Sequence, residues 1–165
     1  MLEVNYVIDS LEKTPVILKF LLSQIPEDLI RLRRIKNKWS IHEQVCHLAE
    51  AQDILINRFK QFEIIKNPLI EFYEPPMDRP ETYYLEMNMN LELDKFTEIR
   101  SEMVVKFRGF PEEYWRLQGS HAGFTPYNTK LLLTHTLNVD YAHIFSIEQL
   151  GLTKPEFENG IITIP

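Results

Sequence analysis

The sequence predicts an all-α fold, a four-helix bundle with long crossover connections. Apolar residues recur at spacings of three and four over four long segments, the period of an amphipathic helix. Helix-starting residues precede two of these segments, and proline-rich stretches interrupt the chain between them. No alternating β-branched run long enough for a sheet precedes the C-terminal tail. Four helices with two long connections are typical of bundles that are not the short-loop type.

Length, composition and charge agree with one domain. The chain has 165 residues, of which 44% are hydrophobic, enough for a single core. We assign residues 1–165 to one domain, with a core at about 5–150 and a tail at 151–165. A net charge of −6 argues against nucleic-acid binding, which needs a concentrated basic face. A single cysteine, no signal peptide and no apolar run of about 20 residues predict a cytoplasmic protein that binds no membrane.

The first two helices have clear boundary signals. The first is predicted over residues 4–25, where Thr14–Pro15 indicates either a kink or a new helix start. The second is predicted to begin after Ser40. Glu43 follows three residues later, so the two side chains can each satisfy a free backbone N–H. With no proline in the way, this helix runs to about Ile65.

The second half of the chain repeats this pattern with longer connections. Residues 66–80 are rich in proline and predict a long crossover loop, of the kind that often lines a site. A third helix is predicted over 81–110, followed by a loop at 111–127. Thr125–Pro126 then offers a cap and a first helical residue for the last helix, which runs to about Leu150.

Histidines on the second and fourth helices are the candidate functional residues. His143 lies in the apolar seam of the last helix, and His47 lies on one stripe of the second helix, so a metal ion between these helices is geometrically feasible. Histidines on helices are nevertheless more often hydrogen-bonding residues than ligands. His42, His121 and His135 are interpreted as surface or loop-facing residues.

The arginines and the cysteine have simpler interpretations. Arg58, Arg100 and Arg116 are expected to pair with some of the many carboxylates. Arg58 is also the best candidate for binding an anion, because it lies about three turns beyond His47 on the same stripe. Cys46 is expected to be a small buried residue, since no base is positioned to activate it.

Four segments follow one another in an order typical of one known family. The second helix opens with "KWSIHEQVCHLAE", and the third helix with its turn reads "FTEIRSEMVVKFRGFPEEYW". The loop into the fourth helix reads "GSHAGFTPYNTKLLLTH", and that helix contains "VDYAHIFSIEQL". Together these segments resemble the DinB/YfiT-like metalloenzyme superfamily over about residues 5–150. The resemblance implies a bundle with long crossovers, commonly dimeric, in which three histidines hold a divalent metal.

One of the three ligand positions departs from the family pattern. His47 matches the first ligand and His143 the third, but Val139 occupies the second position. Ser146 replaces the glutamine of the signature. Two imidazoles are few for zinc or nickel, because a catalytic zinc typically has three protein ligands. Either a carboxylate such as Asp140 turns toward the ion, or the site is weak, or it is lost.

Helical geometry gives a partial answer on the missing ligand. At 100° per residue, His143 lies about 40° from Val139 and about 60° from Asp140. His135 lies about 80° away and is therefore the poorer partner.

Two functions stay open on the sequence alone. Some members of the superfamily are thiol-dependent transferases or isomerases, so the resemblance implies a metal-dependent transferase or hydrolase acting on a small molecule. The alternative is a non-catalytic, stress-associated bundle that has lost the metal and serves as a binding or scaffold protein. In both cases we predict that the pocket between His47, Arg58, Val139 and His143 is the functional site. We also expect a homodimer.

Overall fold

The structure is a computed structural model that describes residues 2–164 and confirms the predicted four-helix bundle. The helices are α1 (Leu2–Ser23), the short α2 (Glu27–Ile30), α3 (Ile41–Ile64), α4 (Met89–Gly109) and α5 (Thr129–Leu152). Three short strands are β1 (Leu69–Ile70), β2 (Gln118–His121) and β3 (Tyr127–Asn128). Three 3₁₀ helices cover Tyr83–Glu86, Tyr114–Arg116 and Pro155–Gly160. None of the helices in residues 2–164 is long and apolar enough to cross a membrane.

The four long helices run up, down, down and up. The first halves of α1 and α5 share one apolar cluster with the second halves of α3 and α4, and the remaining halves share a second cluster. α1 is therefore parallel to α5, and α3 is parallel to α4. α1 packs against α4, and α5 packs against α3; both pairs are antiparallel. Because α3 and α4 are parallel, residues 65–88 must return along the length of the bundle.

A buried polar layer separates the two apolar clusters. Each long helix contributes one side chain to it: Thr14, Gln52, Arg100 and Asp140. Arg100 Nη2 donates to Asp140 Oδ1 (2.8 Å) and to Gln52 Oε1 (2.6 Å). Thr14 Oγ1 donates to Asp140 Oδ2 (2.6 Å). These contacts tie all four helices together at one level of the bundle.

The predicted capping box at the start of α3 is confirmed. The Ser40 side chain accepts a hydrogen bond from the Glu43 N–H, and the Ser40 N–H donates to Glu43 Oε2 at 2.8 Å. Arg33 Nε also donates to Glu43 Oε2 at 2.8 Å, so the carboxylate has a charged partner. The cap fixes the direction in which the chain enters α3 and therefore the position of the residues around it.

Replacing Ser40 with alanine is expected to lower the free energy of unfolding by about 1 kcal/mol, because a buried N–H of the first turn loses its acceptor. Urea unfolding followed by circular dichroism measures this change. Ser101→Ala, on the exposed face of α4, is the matched control and should leave stability unchanged or slightly higher. Equal stability of Ser40→Ala and the parent protein would contradict a stabilising role for the cap.

Of the two alternatives for Thr14–Pro15, a kink or a new helix start, the new start was wrong. α1 continues through Thr14–Pro15 to Ser23. A proline within a helix leaves the carbonyl four residues earlier without its usual donor. Here that carbonyl belongs to Leu11, and the Thr14 hydroxyl lies 3.0 Å from its oxygen. The single hydroxyl hydrogen is donated to Asp140 Oδ2, so this contact does not replace the missing N–H donor.

The predicted starts of the last two long helices were also wrong. α4 begins at Met89 rather than at residue 81, with Asn88 as its N-cap. α5 begins at Thr129, and its N-cap is Asn128 rather than Thr125–Pro126. The Asn128 side chain accepts a hydrogen bond from the backbone of the third helical residue at 2.9 Å. In both cases an asparagine supplies the cap in place of the residues that the sequence pattern favoured.

The expectation of no sheet before the tail was wrong as well. β1 pairs in parallel with β2, and β2 pairs antiparallel with β3. The strands have two to four residues each, too short to produce an alternating pattern. They fasten the crossover loop to the connection between α4 and α5. In the tail, residues 161–164 form no strand, and Ile164 contacts Gln44 and Ser146.

Candidate functional site

The bundle brings the two predicted histidines together. His47 on α3 and His143 on α5 have ring centroids 4.9 Å apart. Trp39, which directly precedes the α3 cap, contributes a ring whose centroid lies 4.7 Å from that of His47 and 6.4 Å from that of His143. The antiparallel packing of α3 and α5 thus brings the two histidines together, and the residue before the α3 cap places an indole beside them.

The hydrogen bonds of His143 assign its tautomer. Its Nδ1 is bonded to Gln44 Oε1, and Gln44 Nε2 donates to the backbone carbonyl of Ile164 at 3.3 Å. Because an amide oxygen can only accept, Nδ1 of His143 carries the hydrogen. The lone pair is therefore on Nε2, which makes no hydrogen bond to residues 2–164.

A second network assigns the tautomer of His47. Its Nδ1 lies 2.8 Å from Tyr84 Oη. The tyrosine hydroxyl donates to Glu50 Oε2 and accepts from Arg79 Nη1 at 3.0 Å. Because the one hydroxyl hydrogen is used on the carboxylate, His47 Nδ1 must be the donor to Tyr84. His47 therefore also holds its lone pair on Nε2.

Burial keeps both rings neutral. It lowers the pKa of His47 to about 4, with Glu50 opposing and Arg79 adding to the shift. Burial and the neighbouring His47 lower the pKa of His143 to about 3. Neutral imidazoles of such low pKa are poor general bases at pH 7, but each offers a lone pair for a metal ion or for a hydrogen-bond donor of a ligand.

An ion pair holds the orienting tyrosine in place. Arg79 Nη2 lies 2.6 Å from Glu50 Oε1. Burial acts to raise the pKa of Glu50, but hydrogen bonds from Arg79 and Tyr84 lower it overall. Burial and the carboxylate raise the pKa of Tyr84. A charged Glu50 and a neutral Tyr84 therefore fix the donor direction of His47.

The donor set does not fit a three-ligand metal centre. Residues 2–164 contain no group of three or more His, Cys, Asp or Glu side chains that could hold a metal ion. Val139 stands at the second ligand position. The Asp140 carboxylate lies in the polar layer, where both oxygens accept hydrogen bonds from Arg100 and Thr14. The alternative in which Asp140 turns toward the two imidazoles as a metal ligand is therefore wrong.

Two cavities meet at His47. The larger, of 380 Å³, lies under the crossover loop and has walls of aromatic and proline residues: Trp39, His47, Tyr73, Pro75, Pro76, Arg79, Pro80, Glu81, Tyr83 and Tyr84. The second, of 190 Å³, lies between α3 and α5 and is lined by His47, Ala51, Ile54, Leu55, Arg58, Tyr73, His135 and Val139. Arg58 and Val139 thus share a cavity with His47, as predicted, while His143 is buried beside the His47 ring.

The remaining histidines differ from expectation in part. His42 was predicted at the surface but is only 4% exposed, and its Nε2 lies 3.1 Å from the carbonyl oxygens of Tyr84 and Met87. It thereby fastens the end of the crossover loop to α3. His121 and His135 are half-buried, and His135 lines the second cavity.

Several site residues carried no usable sequence signal. Tyr84 fell within a segment predicted as helix, and its contact with His47 spans 37 positions of the chain. Glu50 follows His47 by one turn, but its pairing with Arg79 depends on the path of the crossover loop. The tryptophan before the α3 cap was part of the recognised motif and could have been assigned to the site. Cys46 is buried as expected, and burial raises the pKa of its thiol to about 12.

These features define a class: an up-down-down-up helical bundle with a histidine pair between its second and fourth long helices. Residues 10–152 match the family model of the DinB superfamily, and the chain belongs to this superfamily. Among solved structures, it is similar to YfiT from Bacillus subtilis, with a TM-score of 0.73 and 19% identity over 89% of this chain and 85% of that one. YfiT is described as a probable metal-dependent hydrolase with an unusual four-helix bundle topology. No curated protein matches the sequence.

Proposed function

We propose that this chain is a small-molecule-binding protein of the DinB superfamily whose two-histidine site holds divalent metal only weakly. The observation that supports the proposal is the donor set. The His47 and His143 rings lie together, but Val139 occupies the remaining position of a three-histidine site, and Asp140 is committed to the polar layer. A catalytic zinc site usually has three protein ligands, and a set of two lowers affinity.

The cavities beside His47 support the binding part of the proposal. Concave sites with mostly apolar walls and a few polar groups are typical of small-molecule sites. The second cavity has Ala51, Ile54, Leu55 and Val139 as apolar wall, with His47 at one end. The lone pair of the His47 ring provides an acceptor for an N–H or O–H group of a ligand.

A metal-dependent hydrolase is the second candidate. It is supported by the description of YfiT, by the contact between the His47 and His143 rings, and by their Nδ1 hydrogen bonds, which leave both lone pairs on Nε2. Such an enzyme would need water or a substrate oxygen to complete the coordination of an ion held by two imidazoles. The two candidates therefore differ in the metal affinity that they require.

Replacing Val139 with histidine is expected to raise the affinity for zinc or nickel by well over tenfold, which is more than about 1.4 kcal/mol. The substitution adds a third imidazole one turn before His143, in the wall that His47 also lines. Titration calorimetry on untagged protein measures the change. Glu148→His, on the exposed face of α5, is the matched control and should leave the affinity unchanged.

Two outcomes separate the candidates. Tight metal binding by the parent protein, with little gain from Val139→His, would contradict the proposal and favour the hydrolase. Affinity no better than millimolar in the parent protein, with a clear gain in the variant, supports it. If the variant also fails to bind metal, His47 is a structural or ligand-contacting residue of α3.

A further inference from the structure

We infer that the cavity between α3 and α5 binds a small organic carboxylate whose anionic group pairs with Arg58. This inference rests on the proposed function, because it names the class of ligand that the cavity takes. The inference goes beyond the proposed function because it assigns the recognition of the ligand to the Arg58 guanidinium. The argument depends on the unpaired charge of Arg58, on the composition of the cavity wall and on the polar groups around the guanidinium.

Arg58 is a half-buried arginine without a carboxylate partner. Its guanidinium makes one hydrogen bond, from Nη2 to the backbone carbonyl of Glu71 at 3.1 Å, and no ion pair with any of residues 2–164. Most arginines of the chain do form ion pairs. Arg79, in the neighbouring cavity, pairs with Glu50, and the buried Arg100 pairs with Asp140. Of the guanidinium's five donors, most are therefore free for a ligand.

The cavity wall contains no acidic side chain. Its lining consists of apolar residues, Tyr73, two histidines and Arg58. Leaving a partly desolvated charge unpaired is costly. The chain as a whole carries a net charge of −6, so Arg58 does not belong to a general basic surface. A carboxylate fits the need, because the planar guanidinium binds both of its oxygens at once.

Two polar side chains near enough to be affected by the charge of Arg58, His135 and Tyr127, make no side-chain hydrogen bond with residues 2–164. Burial and the charge of Arg58 lower the pKa of His135, which leaves its ring neutral at pH 7 and able to donate one hydrogen bond. His135 also lines an adjoining recess of 90 Å³ together with Tyr127. The Tyr127 hydroxyl is buried and has no hydrogen-bond partner among residues 2–164. A ligand oxygen or a bound water would satisfy such a group.

The position of Arg58 sets the orientation of the ligand. Arg58 follows His47 by three helical turns, about 16 Å along the α3 axis. Ala51, Ile54 and Leu55 lie between them on the same wall. A carboxylate at Arg58 therefore leaves the rest of the molecule against this apolar stripe, extending toward His47. The ligand class is a small carboxylic acid with an apolar body.

Matched acids and amides test the inference. Hexanoate and phenylacetate are titrated against ¹⁵N-labelled protein at low salt and pH 7, in parallel with hexanamide and phenylacetamide. Because the guanidinium can hold both oxygens of a carboxylate by charge-assisted hydrogen bonds, each acid should bind at least about tenfold more tightly than its amide. The largest shifts should fall on residues of the cavity wall. Phenyl phosphate binding much more tightly than phenylacetate would overturn the assignment of a carboxylate.

Arginine variants show whether Arg58 causes the preference. Arg58→Gln should abolish the preference for acid over amide, and Arg58→Lys should keep only part of it, because an ammonium cannot hold both oxygens in the same way. Arg116→Gln, which removes an exposed arginine paired with Glu112, should leave the preference intact. If Arg58→Gln fails to fold, as judged by its amide spectrum, Arg58→Lys still provides the comparison.

The failures are distinguishable. Equal binding of acids and amides, with shifts at Val139 and Ala51, would overturn the inference and leave the proposed function standing. A preference for acids that survives in both Arg58 variants would also overturn it. No shift in the cavity wall with any probe up to its solubility limit would count against both the inference and the proposed function.

Discussion

Asp140→Asn is expected to lower the free energy of unfolding by about 3–5 kcal/mol, because it leaves the buried Arg100 without its counter-charge. Arg100 is 1% exposed, and its Nη2 lies 2.8 Å from Asp140 Oδ1. Burial lowers the pKa of Arg100 and raises the pKa of Asp140, and the attraction between the two charges opposes both shifts. Asparagine keeps nearly the same volume, so the loss comes from charge and hydrogen bonding rather than from a cavity.

Urea unfolding followed by circular dichroism measures the effect. Asp53→Asn is the matched control, since Asp53 also pairs across two helices, with Lys95, but both side chains are about half exposed. An exposed ion pair contributes at most about 1 kcal/mol. If Asp140→Asn costs no more than Asp53→Asn, the polar layer does not stabilise the bundle in this way.

A double substitution tests whether the loss of stability in Asp140→Asn comes from the uncompensated charge of Arg100. Arg100→Met combined with Asp140→Asn should be more stable than Asp140→Asn alone, because no uncompensated charge remains. Nε and Nη1 of Arg100 are already buried without a hydrogen-bond partner in residues 2–164. The layer is thus only partly satisfied by protein groups, and we expect bound water to complete it.

The same layer explains why the metal-ligand role of Asp140 could not be decided from the sequence. Its helical angle to His143 was compatible with a metal ligand. The contacts that hold it elsewhere come from Arg100 and Thr14, which are 40 and 126 positions away in the chain. No local pattern reports such pairings. The valine at the second ligand position, in contrast, was readable from the motif alone.

Helix starts show the same division between local and distant causes. The start of α3 was predicted correctly because Ser40 and Glu43 satisfy each other's backbone groups within four residues. The start of α4 was predicted eight residues too early. Residues 81–88 have a helix-like composition, but the contacts of His42 with the carbonyls of Tyr84 and Met87 hold them in the crossover loop. Tertiary contacts override a weak local preference there.

Fold and family were predictable because they depend on repeated or local features. The period of the apolar residues gave four helices, and the order of the motifs gave the superfamily, which the match over residues 10–152 confirms. Of the cavity partners of Arg58, Val139 was predicted, but Tyr73 and His135 were not, because the path of the crossover loop and the packing of α5 bring them there. The sequence thus identified the stripe of α3 that carries His47 and Arg58, and the fold determined what faces it.

Acidification from about pH 7.5 to about pH 5 is expected to lower the free energy of unfolding by about 1–2 kcal/mol for each of His47 and His143. Burial holds the folded-state pKa values at about 4 and about 3. In the unfolded chain both rings titrate near pH 6.5, so between these values the unfolded state binds more protons than the folded state. The stabilisation is therefore complete above the unfolded pKa and is lost as the pH falls toward the folded values.

The pH window separates the two histidines from the two carboxylates nearest to the α3 cap and to His47, Glu43 and Glu50. The pKa of Glu43 and that of Glu50 are lowered from ordinary values below pH 5, so their contributions are lost only at lower pH. Urea unfolding at several pH values, with a chelator present to exclude metal, measures the slope. The double variant His47→Gln/His143→Gln should lose the largest share of the slope and keep the share of His42 and His135, whose pKa values burial also lowers. His121→Gln, a half-buried histidine in β2, should keep most of the slope. A slope that is unchanged in the double variant would show that the pair is not buried in its neutral form.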